Sequence, residues 1–174
     1  MEKAYYARFM TNLGEMYIAS SNRGVCKLKL EGEATKDFFD WLGMHFEEIK
    51  EDVEKNQEAI GQIVAYARGN LREFDVKLHC IGTPFQKKVW QALCSVPYGQ
   101  VASYKDIAIK VGTPKGFRAV GMANNRNNIP IIVPCHRIIG HDGGLVGYGG
   151  GLDMKVKLLQ LEGIGINGGK VATR

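Results

Sequence analysis

The chain opens with three short segments, KAYYARFM, GEMYIAS and VCKLKL, separated by the turn sequences TNLG and SNRG. Alternation is clearest in the third, where Lys27 and Lys29 interleave with Leu28 and Leu30 as a half-buried strand requires, and the set predicts a small meander. From Thr35 the period lengthens. Phe38, Leu42, Phe46 and Ile49 recur at helical spacing and predict a helix over 35–50. The acidic run from Glu47 to Glu58 reads as its solvated end and a linker. A second helix from about Glu58 to Arg68 carries Ile60, Ile63, Val64 and Ala67 on one face, and Phe74, Val76 and Leu78 then alternate again, closing an α+β lobe near residue 80.

The second half is mostly helical. TPFQ supplies an N-cap threonine, proline at the first helical position and glutamine three residues after the cap; Phe85, Val89, Leu93 and Val96 follow as an apolar stripe ended by PYGQ. Ser103 and Asp106 form a second capping pair, opening a short helix with Ile107, Ala108 and Val111 that stops at Gly112. KGFRAVGMAN predicts another helix, with Phe117, Val120 and Gly121 inward and Lys110, Lys115 and Arg118 outward. A short helix, a tight turn with glycine and a second helix suit a helix-turn-helix, and equally an αα-hairpin of a bundle. The basic outer face and the ANNRNN that follows favour the first. IPIIVP runs extended because its two prolines, Pro130 and Pro134, exclude a helix. A glycine-rich loop, GHDGGLVGYGGG, comes next, then a helix from about Leu152 to Leu161 with Leu152, Val156 and Leu159 inward, and a tail, INGGKVATR, that reads as frayed.

Composition narrows the class. Of 174 residues 45% are hydrophobic and 24% charged, ordinary for a globular protein of one domain or two small lobes. No stretch approaches the roughly 18 to 20 apolar residues of a membrane span, and MEKAYYARF lacks a signal peptide's apolar core, so a cytoplasmic location is expected. The net charge of +5 is unevenly spread: residues 1–80 hold 11 Lys/Arg against 14 Asp/Glu (net −3), residues 81–174 hold 12 against 4 (net +8). A basic half beside an acidic one suits a polyanion-binding lobe with a structural companion. Cys26, Cys80, Cys94 and Cys135 are scattered, with no CxxC pair and no histidine at zinc-ligand spacing, so no metal site is expected and the first three read as small packing residues.

Cys135 stands apart, in PCHRIIG. A cysteine buried in an apolar strand has a raised pKa and is inert, so reactivity needs a neighbour that stabilises the thiolate, and His136 and Arg137 are the candidates. Adjacent residues of a regular strand face opposite ways, so a Cys–His link needs an irregular turn or a bridging water. Pro134 and the downstream glycines permit such a turn. A lone Cys–His pair is structural more often than catalytic, and the glycine loop lacks both the GK[ST] ending and the GxGxxG spacing of phosphate cradles.

Taken together, PCHRIIG, the upstream SYKDIA, the FRAVGMAN stretch and the downstream GGLVGYGGGL and KLLQLEG resemble the O6-alkylguanine-DNA alkyltransferases, the methylated-DNA–protein-cysteine methyltransferases. The likeness is dense from about Thr83 to Gly163; the first 80 residues are similar only in strand and helix pattern. It implies an α+β fold: an N-terminal ribonuclease-H-like lobe (1–80), then a mostly helical DNA-binding and alkyl-acceptor domain (81–174) with a helix-turn-helix and an active-site cysteine loop. The activity implied is direct reversal of O6-alkylguanine, and of O4-alkylthymine, in double-stranded DNA by a cofactor-free monomer that is spent after one transfer.

By position, the resemblance makes Cys135 the acceptor, His136 the base that takes its proton through a water, and Glu162 the carboxylate that orients the imidazole. Asn127 matches the family's hinge asparagine. Tyr104 matches a tyrosine that helps rotate the nucleotide and protonates the departing guanine, and Arg118 the arginine that fills the vacated stack. Lys115, Ala119 and Gly121 fall on the DNA-facing helix, which in this family docks in the minor groove. Tyr148, Val146, Gly147, Gly149 and Pro130 fall around the base pocket. Two positions depart from the family pattern: Asn128 stands where proline is common, and Gly149 where some members carry serine. The rivals are a DNA-binding module without chemistry, which in its damage-sensor form lacks the acceptor cysteine, and a cysteine hydrolase using Cys135 and His136.

Overall fold

The computed structural model of the chain describes residues 2–148 and 150–172. It divides into two compact units, Met1–Ile81 and Gly82–Arg174.

The first unit is built on strands β1 (Lys3–Thr11), β2 (Gly14–Ser21) and β3 (Gly24–Lys29), an antiparallel meander as the turn sequences predict. Helix α1 (Thr35–His45) follows. Here the structure departs from the expected 35–50 helix: α1 stops at His45, Phe46 turns extended, and Glu48–Glu51 forms β4, parallel to β1 at the sheet edge in the order β3-β2-β1-β4. Pairing with β1 decides this over helical periodicity, placing Ile49 beside Ala4. Phe38, Leu42 and Phe46 pack with Ala4, Ala19 and Cys26 as the core of the unit. Helix α2 (Gln57–Ala67) buries Ile63 and Tyr66. The strand expected at Phe74–Leu78 is only a segment with one parallel bridge, Val25 to Leu78.

In the second unit, α3 (Pro84–Leu93) and α4 (Tyr104–Lys110) begin with complete capping boxes, Thr83 with Gln86 and Ser103 with Asp106. Between them lies β5 (Ala102–Ser103). Helix α5 (Phe117–Asn125) packs on α3 and α4, and the Trp90 indole N–H donates to Ala123 O at 2.8 Å. One inward assignment on this helix fails: Phe117, the first residue of α5, is 49% exposed. Cys94 is exposed as well, rather than packed. The segment after α5 is coiled instead of extended and ends in a 3₁₀ turn, Cys135–Arg137, followed by β6 (Ile138–Ile139), which pairs in parallel with β5.

Helix α6 (Leu152–Leu161) buries Met154, Lys155, Leu158 and Leu159, while Leu152 is exposed, contrary to its expected inward position. The tail is not frayed over its described part: β7 (Ile166–Asn167) and β8 (Lys170–Val171) form a hairpin. That hairpin grips the glycine-rich segment through Leu145 N–H to Gly169 O (3.0 Å) and Val171 N–H to Gly143 O (2.9 Å). Among the described residues no helix is long and apolar enough to cross a membrane.

Candidate active site

Backbone geometry sets the cysteine. Ile132 N–H bonds to Pro130 O and Cys135 N–H to Val133 O, each spanning two residues, so the chain makes two three-residue turns before the 3₁₀ turn. The second centres on Pro134 at φ −82°, ψ 64°, the favourable hand. The first centres on Ile131 at φ 73°, a left-handed conformation rare for a β-branched residue and held at a cost of about 1–3 kcal/mol. Asn127 braces the coil at both ends, donating Nδ2 to Val133 O (2.8 Å) and accepting from Ile129 N–H (2.9 Å). Asn124, on the inner face of α5, donates to Cys135 O at 3.4 Å. The irregular turn that a Cys–His pair requires is therefore present, and it is tied to α5.

Cys135 is 4% exposed and His136 is fully buried. Burial raises the Cys135 pKa; hydrogen bonds from Asn127 and Tyr148 and the Lys155 charge pull the other way. Burial likewise lowers the His136 pKa, against the opposing pull of Glu162. The resting pair is thus thiol and neutral imidazole. His136 Nε2 meets Glu162 Oε2 at 2.7 Å. With Nε2–H donated to the carboxylate, Nδ1 is the basic nitrogen.

Glu162 is itself clamped. Arg137 donates Nε to Oε1 (2.8 Å) and a terminal nitrogen to Oε2 (3.1 Å), its other terminal nitrogen reaches Val96 O (2.7 Å), and Gly99 N–H donates to Oε1 (3.1 Å). Gly99 reaches the carboxylate from φ 77°, where an added Cβ would stand 3.3 Å from Glu162 O. The charge-assisted bidentate pair fixes the oxygen that fixes the imidazole.

Lys155 is the residue the sequence reading missed. It is 0% exposed and donates to Ile138 O (2.5 Å) and Val146 O (3.1 Å), joining the strand after the cysteine to the glycine-rich segment. Burial lowers its pKa to about 8, opposed by Cys135. The readable signal was its place on the apolar stripe of α6, four residues before Leu159.

Beside this buried group lies an open depression of about 330 Å³, lined by Tyr104, Arg118, Gly121, Val146 and Gly147 among others. Tyr104 donates its hydroxyl to Val146 O (3.1 Å); its pKa is raised, by burial first and by Cys135 second, so it keeps its proton. Lys115, Arg118 and Ala119 are exposed on or just before α5, and Gly121 is half-buried with Tyr104 at its back. Pro130 is buried in the coil and is not among the residues lining the depression. Tyr148 is half-buried, and Gly149 lies outside the described residues. Among the described residues no three His, Cys, Asp or Glu side chains gather where a metal could sit.

A four-stranded α+β unit followed by a helical unit, in which a helix-turn-helix is laced to a buried Cys–His–Glu array, defines a DNA-binding protein class with a nucleophilic cysteine. Two family models match the chain: the 6-O-methylguanine DNA methyltransferase ribonuclease-like domain over residues 4–80 and the DNA-binding domain over residues 84–164. A methylated-DNA–protein-cysteine methyltransferase of Methanosarcina barkeri is 45% identical over 160 residues, 91% of this chain and 96% of the relative. The constitutive one of Bacillus subtilis is 44% identical over 161 residues, 92% and 96%. Among solved structures, Mycobacterium tuberculosis OGT in complex with DNA superposes with a TM-score of 0.80 at 40% identity, covering 91% of this chain and 92% of that one. O6-methylguanine-DNA methyltransferase from Pyrococcus kodakaraensis gives 0.63 at 28% identity, covering 92% and 99%. The chain belongs to the 6-O-methylguanine-DNA methyltransferase family.

Proposed function

We propose that this protein repairs O6-alkylguanine in double-stranded DNA by moving the alkyl group to Cys135. The observation that carries the reading is the buried array itself: a cysteine and a histidine in one 3₁₀ turn, with the imidazole locked on Glu162 at 2.7 Å. An alkylated oxygen inside a stacked duplex is out of reach, so the nucleotide swings out, at about a few kcal/mol. Tyr104, Tyr148, Val146 and Gly147 bound the space it enters, and Arg118 fills the vacated stack. Lys115, Ala119 and Gly121 lie along the groove. Because Cys135 is nearly sealed, the Tyr104 to Val146 hydrogen bond yields as the base enters, and the tyrosine hydroxyl turns to the guanine.

His136 then takes the thiol proton through a water, the sulfur attacks the alkyl carbon, the C–O bond breaks, and its electron pair returns to the guanine, which Tyr104 protonates. Lys155 and Asn127 support the thiolate as it forms. The product is a thioether, which has no carbonyl for water to attack, so each molecule acts once. The protein works as a cytoplasmic monomer without cofactor.

Mass spectrometry after incubation with a duplex containing O6-methylguanine tests this: one methyl group on the peptide containing Cys135, at one per protein, is expected. The Cys135→Ala variant should transfer nothing and still bind the duplex. Catalytic turnover on thioester or amide substrates, with no methylated peptide, would instead mark a hydrolase.

A further inference from the structure

Two large apolar side chains on α5 stand exposed. Phe117 is 49% exposed and Met122 62%. Both line the depression that Arg118 and Tyr104 border, and Phe117 is also the ridge between it and a second hollow of about 560 Å³ flanked by Lys105, Lys115 and His141. Helical spacing arranges them in two rows, Arg118 with Met122 and Phe117 with Gly121. Since Gly121 has no side chain, a slot is left with Phe117 on one side and Met122 on the other. Among the described residues neither hollow is lined by a carboxylate; Arg118 lines the first, and Lys105 and Lys115 line the second.

An apolar edge in a frame whose charged members are lysine and arginine is poorly suited to a protein partner and well suited to a nucleic acid. The flat faces of bases are apolar and the phosphates beside them are anionic. Phenylalanine and methionine are among the side chains that proteins insert between base steps from the minor groove.

We infer that Phe117 and Met122 form a wedge that bears on the bases flanking the vacated position and keeps the lesion out of the stack. The inference rests on the alkyl-transfer reading above. Arg118 supplies hydrogen bonds in place of those the departed base made, whereas the wedge replaces stacking area. It makes the two side chains positioning residues that act through the duplex and leave the chemistry at sulfur untouched.

Phe117→Ala, Met122→Ala and the double variant are tested in single-turnover transfer on duplex O6-methylguanine and on free O6-benzylguanine. Their Cys135→Ala counterparts are mixed with a duplex carrying 2-aminopurine beside the lesion. The double variant should lose about fivefold or more on duplex, the low end of what one stacked base is worth. It should lose much less on the free base, with a thermal melt showing that it is folded, and should fail to brighten 2-aminopurine where the parent succeeds. An unchanged duplex rate, or equal losses on duplex and free base, overturns the wedge. If the parent protein transfers nothing to either substrate, the alkyl-transfer reading fails instead, and 2-aminopurine still judges the wedge.

Discussion

Glu162 shows how a single side chain can hold a site together. Its two oxygens accept from His136 and twice from Arg137, all under cover, and from the Gly99 N–H nearer the surface. Glu162→Gln keeps the shape but brings an NH₂ group against donors and leaves the Arg137 cation buried without its anion. We expect a loss of about 3–5 kcal/mol in urea unfolding and a fall in transfer rate of about a hundredfold, within the range of a disabled general base. Lys155 predicts a pH effect. Its folded pKa of about 8 lies below the ordinary 10.5, so between those values the unfolded chain holds a proton that the folded one has released, and stability rises with pH across that window. Urea midpoints at pH 7, 8, 9 and 10 should show the wild type gaining on Lys155→Met, by up to roughly 3 kcal/mol. His136 has a lowered pKa, so transfer should hold steady through the ordinary histidine value of 6.5 and fall only below it, as a rate profile would show. The chemistry-bearing residue types were legible at this scale. Lys155 was not, because a lysine on an apolar stripe is read by habit as one whose head reaches water.

Among the elements, those that announce their own ends were the most readable. TPFQ and SYKD are complete signals, and both capping boxes form as spelled. Ser103→Ala removes the cap of the seven-residue α4 and should cost about 1 kcal/mol in thermal or urea melts. Because Tyr104 is the first residue of that helix, duplex transfer should slow as well, to a greater extent than the stability loss alone explains. The strand β4 was hidden, since Glu-Ile-Lys-Glu has the polar look of a linker and becomes a strand only by adding to the edge of β1. The terminal hairpin was readable and overlooked: Gly168 and Gly169 both take positive φ, as a two-residue hairpin turn demands, and the sequence offers them directly after an asparagine. Phe117 and Leu152 went wrong for one shared reason. Each is the first residue of its helix, where the periodic stripe has not yet turned under cover.

For the molecule as a whole, the division of charge predicts behaviour no single contact carries. If the exposed Lys105, Lys110, Lys115 and Arg126 meet phosphates, the logarithm of duplex affinity should fall against the logarithm of salt with a slope of roughly −4, measurable by fluorescence anisotropy. Reversing Lys105 and Lys115 to glutamate should flatten that slope, and the same exchange at Lys36 and Lys50 in the first unit should not. The two-unit layout was legible from that same charge split and from the change of period near residue 80. What one chain could not disclose was which distant residues converge, as Glu162 does on His136 across 26 positions. One practical matter follows from the grip of β7 and β8 on Gly143 and Leu145. A purification label or reporter joined directly after residue 172 would tug on the walls that receive the damaged base, so a protein prepared with its handle there risks being judged sluggish for a fault of the handle.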